Sequence, residues 1–325
     1  MSVEEQAEEA IPAVVRMFSG CEDRQTSADV SNVGSFQLPD PAGRAGGALT
    51  SALLNTTYAD HANTGADLTF KETLITAREK LREMGFEQVP QLSCSRATDL
   101  DQPFSIIPPD FEGTRRAVMI GINYVGHDPG ELSGCHNDVF NMAEYIKDCH
   151  GFTDDDIVYL LDDGEHTPPT AANIIEAFQT LASQAQPGDA CFLHYSGHGC
   201  SIPDQDGDED DGKDEALCPV DYAENGILRD DHVLQMLVAP MPRGVTLTCI
   251  MDCCHSGTIL DLPFLFLADG SQEEMEADPD FEFGPFLTMV SSFAAAGLEG
   301  LKQLHAEGKA RRKKRRQWLK SRLGF

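Results

Sequence analysis

Two segments of the chain carry the residue types that nucleophilic catalysis uses. One is Phe192-Leu193-His194-Tyr195-Ser196-Gly197-His198-Gly199, the other Thr248-Cys249-Ile250-Met251-Asp252-Cys253-Cys254-His255-Ser256-Gly257. Each begins as an apolar run and ends in glycine, polar and titratable residues, so His198 and Cys254 stand just beyond the carboxyl end of a predicted strand. In open α/β sheets that edge is where ligands bind, and adjacent strands bring both side chains to one crevice. A thiol attacks as thiolate, and an imidazole within reach lowers its pKa or takes its proton, as amide hydrolysis requires. Gly197 and Gly199 beside His198, and Gly257 after Cys254, let a peptide backbone approach closely. The N–H groups of Gly199 and Cys254 are candidate oxyanion donors. Spacing leaves two alternatives open, a Cys and His packed in a core or a zinc site, although the chain has no Cys-x-x-Cys element.

Cys191 and Cys249 fall on the same two predicted strands, seven and five residues before His198 and Cys254. If they are level, a disulfide beneath the crevice would make activity redox-sensitive; buried unpaired thiols are the bland reading. The run Asp204, Asp206, Asp208, Asp210 and Asp214 suggests a calcium loop, yet it lacks the EF-hand's glycine and glutamate positions, and a solvated charge run explains it equally well.

These residues need a frame. From Arg115 to Phe266, strand and helix patterns alternate as in a parallel sheet covered by helices. Strands are predicted over 117–122, 157–161, 190–195 and 245–251, and helices over 138–148 and 170–183, with a short one near 231–237. In the second helix Ala171, Ile174, Ala177, Phe178 and Leu181 share one face. Upstream, strands at 13–18 and 88–93 and helices at 47–54 and 70–84 are too few for a two-sided sheet of their own. They are expected to complete the later sheet, giving one composite α/β domain. Its parts are 1–105, a connector at 106–114 containing Pro108-Pro109, 115–266, and 267–325. The last part comprises an acidic loop to about Pro285, a helix over 286–304 and a basic tail.

Composition narrows the classes. The chain has 325 residues, 41% hydrophobic, with 54 acidic against 24 basic residues and a formal charge of -30. Such a surface repels a phosphate backbone, so nucleic acid is not an expected partner and cations are. Charge is segregated: eight acids lie between Asp204 and Glu215, seven between Asp269 and Glu282, and nine bases between Lys309 and Arg322. No apolar run approaches the roughly 18 to 20 residues needed to cross a bilayer. With ten cysteines and a Glu-rich start instead of an apolar leader, the expectation is a monomer in the reducing cytoplasm. In that setting the Asn55-Thr56-Thr57 sequon carries no weight. The basic tail is read as a nuclear import signal, a partner for the acidic loops or a self-cleavage site.

Tyr195-Ser196-Gly197-His198-Gly199, Asp252-Cys253-Cys254-His255-Ser256-Gly257 and Ser133-Gly134-Cys135-His136-Asn137-Asp138 resemble the three signature blocks of metacaspases, in the family's order. The resemblance covers roughly Arg115 to Pro263 and implies a caspase-like fold. It further implies a cysteine endopeptidase with Cys254 as nucleophile and His198 handling protons. The segments 18–29 and 88–93 resemble parts that follow the catalytic cysteine in most of the family. Here they precede it, as in the type III metacaspases of algae. By resemblance Cys135, Asp138, Ser196 and Asp252 line the pocket for the residue before the scissile bond. Two carboxylates there favour Arg or Lys in protein or peptide substrates. Taken singly, Asp138 also reads as a helix cap. Resemblance places an activating calcium on Asp214, Asp230, Asp231 and Asp261, with Arg229 standing where an acid is expected.

Overall fold

The computed structural model describes residues 2–20, 47–65, 67–109, 111–127, 130–203, 213–253, 259–260, 262–278 and 281, apart from the side chains of 201–203, 213 and 214. The helix expected at 286–304, the basic tail, the acidic run 204–212, Cys254 and Asp261 lie outside them.

The first helix, α1 (Val3–Ala10), opens with a reciprocal cap between Ser2 and Glu5 and leads into β1 (Val14–Ser19). Helices α2 (Ala48–Thr57) and α3 (Phe70–Glu83) follow, α3 capped reciprocally by Thr69 and Glu72. Strand β2 (Gln91–Cys94) closes this part. The alternation expected next is present as β3 (Arg115–Gly121), α4 (Cys135–His150), β4 (Ile157–Leu161), α5 (Ala171–Gln184) and β5 (Ala190–Ser196). Parallel neighbours need long crossovers, and α4 and α5 supply them. Then come β6 (Gly199–Pro203), β7 (Lys213–Leu217), α6 (Tyr222–Asn225), β8 (Leu228–Arg229) and α7 (Asp230–Val233), which widens into a π turn at Leu234–Val238. Strands β9 (Thr246–Asp252), β10 (Phe264–Leu267) and β11 (Glu276–Ala277) complete the order.

The main sheet runs β11-β10-β2-β1-β9-β5-β3-β4. Its middle, from β1 to β4, is parallel, while β2, β10 and β11 are antiparallel. The first strand of the chain therefore lies beside the strand that leads to Cys254, in register from Val14↔Thr246 to Ser19↔Met251. Alternate residues of the central strands feed two cores. Val118, Ile120, Leu193 and Leu247 face Ile174, Phe178 and Leu181 of α5 together with Leu234 and Leu237. Ala117, Met119, Phe192 and Ile250 face Leu49 and Leu53 of α2, Leu74 of α3 and Met142 of α4. Central strands buried on both sides explain the continuous apolar runs that marked them in the sequence.

Three details depart from the sequence reading. Strand β2 begins at Gln91 instead of Gln88, just after Pro90, which has no N–H for a ladder. The stretch between β5 and β9 was read as an acidic loop and a short helix, and it also contains the three-stranded sheet β6-β7-β8. Strand β10 had no strand signal distinct from its apolar surroundings; it pairs with β2, from Phe264↔Cys94 to Leu267↔Gln91.

Candidate active site

Strands β5 and β9 are parallel and level at their ends, with Ser196 opposite Asp252. His198 follows Ser196 by two residues, and Cys254 follows Asp252 by two. The two strands thus end at the same height, at Ser196 and Asp252. His198 is 3% exposed, and its Nε2 lies 2.8 Å from the carbonyl of Gly130. A carbonyl only accepts, so Nε2 carries the hydrogen and Nδ1 has the lone pair of the neutral ring. Gly199 opens β6 opposite Leu217.

The four residues assigned to the pocket lie together under this edge. Cys135 starts α4, Asp138 is in its first turn, Ser196 ends β5 and Asp252 ends β9; all four are buried. Asp138 does not cap its own helix, because α4 has no side-chain cap and Asp138 Oδ2 instead accepts from Ser196 Oγ at 2.8 Å. The sequence reading of Asp138 as a cap gives way to this contact.

Asp252 does act as a cap, for a helix 202 residues away. Gly47 stands at the N-cap of helix α2, with φ +80, and supplies no side-chain cap. The N–H of Thr50 donates to Asp252 Oδ2 at 2.7 Å, and the N–H groups of Leu49 and Gly47 and the Thr50 hydroxyl also donate to this carboxylate. An anion at a helix N-terminus satisfies donors that no residue inside the helix can reach. Thr50 Oγ1 lies 3.0 Å from Nε2 of the fully buried His194, extending the polar chain into the core. Gly47 packs so tightly on Asp138 that a Cβ there would come within 2.4 Å of the carboxylate. Sequence reasoning passed over Gly47, Thr50 and His194, and the Gly47 to Leu54 helix assignment carried no sign of what it would cover.

Two buried carboxylates side by side resist ionisation. Burial, then the charge of Asp252, pushes Asp138 up to about 7, with the Ser196 hydroxyl opposing. Burial pushes Asp252 up to about 6 against the pull of its α2 donors. Burial also holds the Cys135 thiol up at about 12, so it is a neutral wall of the pocket. A cationic side chain brought here would favour both carboxylates in their charged form.

Of the expected calcium ligands, Asp230 and Asp231 are described with their side chains and Asp214 by its backbone alone. Asp230 is 3% exposed, and its two oxygens accept from the N–H groups of Glu215 at 2.6 Å and Asp231 at 2.8 Å. Glu215 is itself 5% exposed. Glu215 and Asp230 carry the oxygen donors that a hard cation takes, but among the described residues no group of three or more His, Cys, Asp or Glu side chains is gathered to hold a metal ion. Asp214 lies in β7, opposite Ile202.

Cys191 and Cys249 share a core face but are not level. Cys191 is opposite Leu247, and Cys249 opposite Leu193, which leaves them two residues apart on a diagonal, each a free thiol. The sulfurs of Cys200 and Cys218, not singled out from sequence, are 3.4 Å apart.

Residues 115–263 match the family model for the metacaspase peptidase C14 domain. A protein of Phaeodactylum tricornutum named Metacaspase III c is 56% identical over 285 residues, spanning 87% of this chain and 85% of that protein. Metacaspase-1 of Emericella nidulans is 44% identical over 191 residues, 58% of this chain and 47% of the relative. Metacaspase-1B of Aspergillus fumigatus is likewise 44% identical over 191 residues, with 46% of its length covered. The chain thus spans about half the length of these fungal relatives.

Proposed function

Because this chain belongs to the metacaspase family, resembling its type III members, and is a cysteine-type endopeptidase, we propose that it cleaves after Arg or Lys through a His198–Cys254 dyad and requires calcium. The observation that carries the reading is the pairing of a buried two-carboxylate pocket with His198 at the same sheet edge, His198 Nε2 being engaged by Gly130. In the mechanism, Nδ1 of His198 takes the thiol proton and the Cys254 sulfur attacks the carbonyl carbon. The N–H groups of Gly199 and Cys254 are the donors assigned to the oxyanion. The imidazolium then returns its proton to the leaving amine, leaving a thioester, and water activated by the same imidazole releases the new carboxylate. Asp138 holds the substrate cation, while Asp252 keeps α2 in place and adds negative charge.

Calcium is assigned to Asp214, Asp230, Asp231 and Asp261, with Glu215 added. When bound it would neutralise these carboxylates, which otherwise repel one another. The remaining assignments are a monomer without a nucleic-acid partner, in the cytoplasm, with the basic tail as a route to the nucleus. One experiment tests the main reading. Purified protein and Cys254→Ala are incubated with peptides carrying Arg, Lys or Asp before a reporter, with calcium or chelator. Cleavage after Arg and Lys only, with calcium and with Cys254 intact, is the expected result. Cleavage only after Asp defeats the pocket assignment, and full activity in chelator defeats the calcium assignment.

A further inference from the structure

We propose that the hydroxyls of Tyr124 and Tyr195 are positioning groups that clamp the backbone of His198 and thereby aim its imidazole; this rests on the reading of His198 as the general base. The His198 N–H donates to Tyr124 Oη at 3.0 Å, and the His198 carbonyl accepts from Tyr195 Oη at 2.9 Å. Each phenol has a single proton to give. Tyr124 gives its own to the carbonyl of Cys218 at 2.6 Å, so its lone pairs face the His198 amide, and Tyr195 gives its own to His198. The Cys218 N–H donates to the His198 carbonyl at 3.2 Å, which closes the ring of contacts. Both tyrosines are fully buried, and burial raises both phenols well above their ordinary value, so they stay neutral donors wherever the enzyme works.

Three further observations converge here. The Tyr124 ring lies 4.8 Å from the imidazole, tilted by 41°. Tyr124 has φ +52, a left-handed conformation that bulky residues avoid and that persists where the surroundings demand it. From there its carbonyl accepts from the His127 N–H at 2.9 Å, and the His127 carbonyl accepts from the Gly130 N–H at 2.6 Å. Gly130 then receives His198 Nε2 at 2.8 Å. One residue therefore reaches His198 by two routes, to the backbone through its hydroxyl and to the ring through the loop it opens. Finally, a Cβ on Gly197 would lie 3.1 Å from Tyr195 Oη and 3.2 Å from Tyr124 Oη. The glycine before His198 leaves room for the clamp as well as for substrate.

A displacement of about 1 Å in a reacting group costs on the order of 100-fold in rate. Tyr124→Phe and Tyr195→Phe keep the rings and delete the hydroxyls. With rates expressed per titrated Cys254, kcat on an Arg peptide is expected to fall roughly tenfold or more while KM stays within about twofold. The pH dependence of Cys254 alkylation by iodoacetamide is expected to shift in the same variants, because it reports the imidazole's influence on the thiol. Gly197→Ala crowds the same hydroxyls and is expected to lower kcat similarly; it serves where a Phe variant does not fold. If the tyrosines only fill the core, the variants lose titratable protein and thermal stability but keep wild-type kcat per site and an unmoved alkylation profile. That result overturns the clamp. His198→Ala separates the two readings. Full kcat in His198→Ala removes the base assignment and the clamp with it. An inactive His198→Ala beside wild-type kcat per site in both Phe variants removes the clamp alone.

Discussion

Asp138→Asn is expected to trade activity for stability, with a pH signature that follows from the buried pair. Asp138 ionises at about 7 in the folded protein against an ordinary 3.8, because it is buried beside Asp252. A carboxyl whose pKa is raised by folding holds its proton more tightly when folded. Stability is therefore lost as pH climbs from the unfolded value towards the folded one, and is level above it. At about 1.4 kcal/mol per pH unit, the full cost above pH 7 is roughly 4 kcal/mol, of which about 2 kcal/mol is already incurred by pH 5.5. Asparagine keeps an oxygen for the Ser196 hydroxyl and has no charge to bury. The advantage of Asp138→Asn over the parent should grow by about 2 kcal/mol between pH 5.5 and 8.5. For a chain of this length that is roughly 3 °C in thermal midpoint. The assay is thermal unfolding at both pH values, in a Cys254→Ala background so that self-cleavage does not intervene, with chelator present. Both conditions lie above the sequence pI of about 4.5. In the active background the same substitution should lower kcat/KM on Arg peptides roughly 100-fold, the scale of a lost charge-assisted contact. A stability difference that is flat with pH, or full activity in Asp138→Asn, would refute the account of this pocket.

Other outcomes follow from the same geometry. With wild-type enzyme, kcat/KM for Arg peptides should decline as pH falls through about 7, where Asp138 takes up its proton, and decline more steeply than for peptides with an uncharged residue at that position, which respond to the His198–Cys254 pair alone. Thr50→Val leaves the Nε2 of buried His194 without its hydroxyl partner and removes one donor to Asp252, so urea unfolding should report a loss of about 1–3 kcal/mol. Asp230→Asn should raise the calcium concentration needed for half-maximal activity at least tenfold while leaving substrate choice unchanged, read by calcium titration with Arg and Lys peptides.

Period and composition were enough to place the central strands, the crossover helices and His198 at the sheet edge, because each depends on a short stretch of chain. Apolar runs mark strands buried on both faces, and glycine after a strand marks the edge where a peptide can approach. What local pattern does not encode is which distant groups meet. That Asp252 caps α2, that Thr50 links it to His194, and that Gly47 presses on Asp138 depend on β1 lying beside β9 and carrying α2 over the pocket. The tyrosine contacts to His198 are of the same kind, joining residues 74 positions apart, or three apart but across a turn. Strand β10 and the β6-β7-β8 sheet escaped sequence reading because strand pairing is a choice of partner, made by packing and hydrogen bonding between segments, and no periodicity within one segment records it. The residue types of the site were legible in the sequence; that Asp138 meets the Ser196 hydroxyl while Asp252 receives the end of α2 was decided by the tertiary fold.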